Sequence, residues 1–285
     1  MTPIGARQNG GMTDPWADWL LHRRDGDDPD RRREALAFLA PVRDRVLAAA
    51  GIGPADTVLD VGCGDGLLGL AALDRAGEVV FSDVSAALLE HCRAAAGGRG
   101  RFVRTGLPDL AGIGDGAVDA AVLRSVLMYV ADKPASFRAL HRVLRPGGRL
   151  SVFEPVNRFS REPTGRLWGY DVSAVPELAE PLTRASQPDP DGPILGYDER
   201  DLLAAAEAAG FVELRLTYEA SVGDSVGPPF RTLLRIAPNP TAATYGELID
   251  RVLAPAERDR LIAHLDARST RHHRSAVVYL SARRR

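Results

Sequence analysis

From Thr57 onward, short apolar runs alternate with stretches of helical period. Residues 57–61, 78–82, 101–104, 119–123 and 149–154 read as strands, with helices at 67–74, 85–95 and 134–144 between them. That alternation indicates βαβ units, and hence a parallel sheet with right-handed crossovers. Upstream, 16–22 is a short amphipathic helix, and 31–50 carries Leu36, Phe38, Leu39, Val42, Val46 and Leu47 at helical spacing. Gly51 and Gly53-Pro54 end it. Residues 1–14 show no periodicity and are expected to be disordered, and Met12 offers an alternative start. Residues 156–197 break the rhythm. A helix at 199–209, a strand at 211–218 and a final strand at 275–281 follow, the last two separated by residues 223–273 with helices at 245–253 and 256–267. The chain thus divides into a start and helical cap (1–50) and one α/β domain (51–285). The domain carries a lid-like insertion at 156–197 and a second insertion at 223–273.

The first strand runs into Gly62-Cys63-Gly64-Asp65-Gly66, and the second ends on Asp83. A strand, a glycine turn, a second strand and an acid, in that order, bind a nucleoside at the carboxyl edge of a parallel sheet. The glycines let the backbone turn tightly and approach a ligand. Asp83 suits ribose hydroxyls; its plainer role is to open the next helix. Leu67 stands where a dinucleotide fingerprint has its last glycine, and Asp65 lies in the turn, where a pyrophosphate would be repelled. With Asp60 close by, the turn favours a ligand with a cationic or zwitterionic centre. Asp60 also reads as an acceptor for the turn's own amides.

Composition narrows the partners. Net charge is −2 over 285 residues, so nothing global points to DNA, RNA or an acidic membrane. Of 36 basic residues only Lys133 is a lysine, a bias that reads as base composition rather than function. Cys63 and Cys92 are too few for a disulfide scaffold or a thiolate metal site. No apolar run reaches the length of a membrane span, and no signal sequence is evident, so a cytoplasmic protein is expected.

The chain resembles the class I S-adenosylmethionine-dependent methyltransferases of small-molecule type. Residues 58–66 (Val-Leu-Asp-Val-Gly-Cys-Gly-Asp-Gly) match the family's first motif and 81–85 (Phe-Ser-Asp-Val-Ser) its second. Residues 142–150 (Arg-Val-Leu-Arg-Pro-Gly-Gly-Arg-Leu) match its turn into strand five, and 119–125 resembles its fourth strand. The resemblance covers about residues 51–156, and more loosely the stretch around Ala209-Gly210-Phe211. It implies a Rossmann-like, doubly wound, mostly parallel seven-stranded sheet with an antiparallel last strand at 275–281. It implies S-adenosyl-L-methionine as the donor and no metal. Gly62, Cys63 and Gly64 would line the methionine portion, with Asp60 or nearby backbone at its amino group and Asp83-Val84 at the ribose. Many relatives place an acid after strand three against the adenine. Gly106 stands near that place here, which leaves adenine to backbone groups or Asp109, with Leu107 as an apolar neighbour.

The resemblance also places Arg124 and Tyr129 beside the donor's reactive end. Arg124 either meets the bound molecules or pairs with Asp119 or Glu154. Tyr129 and Glu154 are the candidates for direct chemistry: Tyr129 bounds the pocket or packs as core, and Glu154 takes a proton or bonds backbone amides. In the first insertion, Phe159, Leu167, Trp168 and Tyr170 suggest an apolar wall over the cleft. Arg158, Arg161 and Arg166 suggest either a seat for a carboxylate or phosphate, or a solvated face. The implied reaction is in-line methyl transfer to a small-molecule acceptor, with no nucleic acid and no membrane. The motifs do not say whether oxygen, nitrogen, carbon or sulfur is methylated. Two other readings stand beside it: a donor-binding regulator without catalysis, and a nicotinamide enzyme using Tyr129 and Lys133. A homodimer through residues 245–267 stays open.

Overall fold

The computed structural model describes residues 14–285, so the expected disorder up to residue 13 and the alternative start at Met12 lie outside it. Seven strands form one sheet: β1 (Thr57–Val61), β2 (Glu78–Asp83), β3 (Arg101–Arg104), β4 (Val118–Arg124), β5 (Leu144–Pro155), β6 (Phe211–Val226) and β7 (Thr270–Arg284). Their order is β3-β2-β1-β4-β5-β7-β6. The first five are parallel, and β7 runs antiparallel between β5 and β6. The order reverses between β1 and β4, and at that switch point the loops of two strand ends diverge and leave a crevice for a ligand.

Each sheet face buries its own core. On one side Leu59, Leu123 and Leu150 meet α5 (Lys133–Val143) and α7 (Glu199–Ala208) through Phe137, Leu140 and Leu202. On the other, Val58, Phe81 and Val122 meet α2 (Pro29–Ala50) and α4 (Ala86–Ala95) through Leu47 and Cys92. Strands buried on both faces explain why β1, β2 and β4 read as nearly continuous apolar runs. No described helix is long and apolar enough to cross a membrane.

Several boundaries differ from the sequence pattern. The helix after the glycine turn is only α3 (Gly69–Ala72), not 67–74. The last two strands are far longer than 211–218 and 275–281. Their pairing runs from Phe211↔Arg284 to Val226↔Thr270, well past Pro155↔Val277, where β5 stops. The distal part is a two-stranded ribbon standing above the sheet's carboxyl edge.

The two insertions build a third core together. Leu178 and Leu182 of α6 (Pro176–Ser186) pack with Ile249 of α8 (Tyr245–Val252) and with Leu261 and Leu265 of α9 (Pro255–Asp266). Leu167 and Tyr170 are buried in this core, and Trp168 stacks on Phe230 at 5.5 Å between ring centroids. Three side chains of the expected wall over the cleft, Leu167, Trp168 and Tyr170, therefore belong to the inside of a cap, while Phe159 packs against the main core of the sheet. Likewise α8 and α9 spend their apolar faces within the chain, so the homodimer left open through them has no support.

Candidate active site

The turn after β1 is pinned from three sides. Cys63 N–H donates to Ser82 O at 2.9 Å, tying the turn to β2. Gly69 N–H, at the start of α3, donates to Asp60 Oδ2 at 2.7 Å. Gly64 N–H donates to Asp83 Oδ2 at 2.9 Å, while Ser85 N–H takes Asp83 Oδ1, also at 2.9 Å. Gly62 has φ +64°, and a Cβ there would come within 2.7 Å of Val126 Cγ2, so only glycine lets the strand ends approach this closely. Asp60 is fully desolvated; burial pushes its pKa up to about 7 although Gly69 N–H favours the charged form. Burial also raises Asp83, against its amide bonds.

Beside Asp83, Val84 is an apolar side chain left 50% exposed at the sheet edge. Gly106 faces it: a Cβ there would lie 2.7 Å from Val84 Cγ1. Leu107 packs against the main core beside this gap, while Asp109 is exposed.

The acidic turn has a partner that the sequence pattern did not reveal. Arg24 Nη1 lies 3.0 Å from Asp65 Oδ2, and Arg24 Nη2 lies 3.1 Å from Asp25 Oδ2. Arg24 follows α1 (Pro15–Asp18), which Asp14 caps and a π-helical turn, Trp19–Arg23, extends. This N-terminal segment lies over the glycine turn, with Leu20 against Gly64 and Trp16 edge-on to Tyr129 at 4.8 Å. Asp65 is thus compensated, and its repulsion of a diphosphate is a weaker argument than the sequence suggested.

Arg124 pairs with neither expected acid. Asp119 sits at the far end of β4, accepting from Thr57 N–H at 2.7 Å and contacting Arg145. Burial lowers the Arg124 pKa; Asp65, Glu154 and Asp60 oppose this through space, whereas Arg24 adds to it. Glu154 is fully buried and spends both oxygens on the turn after β4: Val126 and Leu127 N–H at 2.8 Å, and Met128 N–H at 3.1 Å. It organises that turn, the amide-bonding one of the two roles expected of it. Tyr129 is raised to about 12, first by burial and then by Glu154, so its phenol stays protonated. Lys133 donates to Val130 O and Pro193 O, each at 3.2 Å, and sits over Tyr197; a Tyr129–Lys133 redox pair is absent among the described residues.

Residues 59–152 match the family described as Methyltransferase domain. The tRNA 5-carboxymethoxyuridine methyltransferase of Escherichia coli (strain K12) is 35% identical over 115 residues, 38% of this chain, and the chain spans 43% of that protein. The demethylmenaquinone methyltransferase of Mycobacterium sp. (strain KMS) is 32% identical over 189 residues, 61% of this chain and 75% of that protein. The chain belongs to the class I S-adenosylmethionine-dependent methyltransferases. The geranyl diphosphate C-methyltransferase structure from Streptomyces coelicolor A3(2) matches this methyltransferase with a TM-score of 0.50 at 21% identity, covering 92% of this chain and 86% of that one. The YcgJ protein of Bacillus subtilis matches at 0.51 and 17% identity, covering 89% and 99%. Both likenesses concern the fold of the methyltransferase.

Proposed function

We propose that this methyltransferase moves a methyl group from S-adenosyl-L-methionine to a small-molecule acceptor by in-line displacement. The observation that carries the reading is Asp83, held rigid by the N–H groups of Gly64 and Ser85 at the switch point of the sheet, with half-exposed Val84 beside it. Each oxygen keeps a lone pair for a ribose hydroxyl. The residues present fit a nucleoside with a zwitterionic tail. Gly62, Cys63 and Gly64 form the cradle. Arg124, which no described carboxylate pairs within 4.0 Å, answers a carboxylate, and Asp60 lies below the turn on the side of an ammonium. Val84, Gly106 and Leu107 offer an apolar slot for a base.

The bound donor supplies an electrophilic methyl on a sulfonium, a good leaving group. The chain's own share is orientation and exclusion of water. The N-terminal segment covers the turn, and neutral Tyr129 has an O–H to offer at the mouth. Glu154 is committed to three amides and Tyr129 is protonated, so neither of the two candidates is ready to act as base. This supports an acceptor that brings its own nucleophilic centre.

A small acceptor is favoured over RNA because the quinone-methylating relative matches over 61% of this chain and the tRNA-methylating relative over 38%. Calorimetry with S-adenosylhomocysteine tests the donor site, and a methyl-release assay with small acceptors and bulk tRNA tests the acceptor. Binding plus turnover on a small molecule is expected. Turnover on tRNA alone would replace the acceptor class, and binding without turnover on any acceptor would favour a regulatory protein.

A further inference from the structure

The chain leaving β5 wraps back along the ribbon and encloses a second cavity of about 270 Å³, distinct from the glycine turn. Arg166, Arg271 and Arg274 line it together with His272, His273 and Glu162. The short hairpin at 166–171 closes one wall. Gly169, at φ +87°, lies so close to the ribbon that a Cβ would meet His272 O at 2.4 Å, and its carbonyl accepts from His272 N–H at 2.8 Å. This wall is built, not a loose loop.

The charges inside are unbalanced. Among the described residues, no carboxylate lies within 4.0 Å of any of the three guanidinium groups. Arg271 Nε donates to Trp168 O at 2.7 Å and Arg166 Nη1 to Gly169 O at 3.2 Å, so backbone carbonyls aim both side chains. Arg274 stacks over Phe159 at 4.8 Å, and its Nε is buried without a partner. The nearest acid, Glu162, is engaged with the N–H groups of Trp168 and Gly169, and burial raises its pKa. His272 is held by Asp224 at 2.8 Å and His273 by Ser221 Oγ at 2.9 Å. Partly buried cations of one sign, left unpaired, are stabilised by an anion that brings several acceptor oxygens at once.

We propose that this cavity binds the oxyanion group, phosphate or carboxylate, of the acceptor. The position fits that role. Arg274 stands three residues beyond Val277, which pairs with the last residue of β5. At roughly 3.3 Å per strand residue, this puts it about 10 Å above the sheet edge on β7, which β5 separates from β4. An acceptor anchored there would reach across the end of β5 to the mouth formed by Tyr129. Of the three arginines expected to seat an anion, only Arg166 lines the cavity; Arg271 comes from the stretch that had read as an insertion, and Arg274 from between it and the final strand expected at 275–281. The assignment to the acceptor rests on the methyl-transfer reading; the cavity's affinity for an anion does not.

Calorimetric titration of the whole chain with inorganic pyrophosphate and with malonate, at low salt, tests it. Saturable binding is expected, weakened at least tenfold in Arg274→Gln and in Arg166→Gln, with affinity for S-adenosylhomocysteine held within twofold in both. Tighter binding of pyrophosphate assigns a phosphate, and tighter binding of malonate a carboxylate. No binding, or equal binding by wild type and both variants, overturns the site. Matched acceptors with and without the anionic group then read its use: KM for the anionic member rises at least tenfold in Arg274→Gln while that of the neutral member stays. Equal use of both members by the wild type overturns the link to the acceptor. Failure of the wild type to bind S-adenosylhomocysteine would remove the donor reading instead and leave the pyrophosphate result standing by itself.

Discussion

Arg24 reaches Asp65 across 41 residues of sequence, Nη1 to Oδ2 at 3.0 Å, and both side chains are nearly buried, 15% and 11% exposed. This pair joins the N-terminal segment to the glycine turn. The same segment is tied to the cap: Trp19 Nε1 donates to Ala237 O at 2.8 Å and Arg23 meets Glu247 at 2.6 Å. One short stretch therefore bridges the proposed donor site and the cap built from the two insertions.

Arg24→Gln removes one charge and leaves Asp65 beside Asp60 with its compensation reduced. A pair this shielded lies between exposed ion pairs and fully buried ones, so a loss of about 2 kcal/mol is expected. The segment should also loosen. Thermal melts read the first effect. The second appears as faster dissociation of S-adenosylhomocysteine and quicker proteolysis around residues 19–25. An unchanged dissociation rate would show that the segment does not cover the donor.

Much of this arrangement is visible in the pattern of residues. The alternation from Thr57 to Glu154 yields the parallel half of the sheet because those strands are buried on both faces and bounded by turn residues. The ribbon is missed because Asp224, Ser225, Arg271, His272 and His273 lie beyond the sheet, where no core enforces apolar alternation. The cap is missed for another reason. Trp168 and Tyr170 announce an apolar surface, yet burial against Phe230, supplied some sixty residues later, decides which way that surface faces. Arg24 left no local trace, since its role exists only once the turn and the first helix are folded together.

Asp83 should be the most sensitive polar residue of the donor site. Asp83→Asn keeps one acceptor oxygen for Gly64 or Ser85 and loses the charge, at a cost of about 2 kcal/mol per charge-assisted hydrogen bond lost. Affinity for S-adenosylhomocysteine should fall about thirtyfold, with the fold retained by circular dichroism. A fall of less than about threefold would mean that the carboxylate serves only to pin the turn.

Glu154 gives a pH test. Burial raises its pKa from 4.5 to about 7, so the folded state holds a proton that the unfolded chain releases. Its stabilising contribution is full below the unfolded pKa and is lost as pH rises through about 7. Glu154→Gln lacks that contribution. It also offers only one carbonyl oxygen to the N–H groups of Val126, Leu127 and Met128, a loss of about 1–3 kcal/mol in acid. Urea denaturation across about pH 5 to 8 should show the gap between wild type and variant shrinking as pH rises. A gap that is constant or widens contradicts the raised pKa.

Trp168 tests whether the cap is a unit of its own. Its ring stacks on Phe230 with an interplanar angle of 2° and tilts against Tyr245 at 4.7 Å. Trp168→Ala opens a hole among α6, α8 and α9, and a cost of about 3 kcal/mol is expected there. The sheet's own cores contain neither Trp168 nor Phe230. Hydrogen exchange should therefore accelerate in residues 176–186 and 245–266 and stay slow in β1, β4 and β5. S-adenosylhomocysteine should still bind, because Asp83 and the glycine turn stand on the sheet, whereas pyrophosphate binding should weaken, because loss of the stacked ring loosens the hairpin whose backbone carbonyl at residue 168 aims Arg271. Uniform acceleration through sheet and cap would show instead that both unfold as one cooperative body.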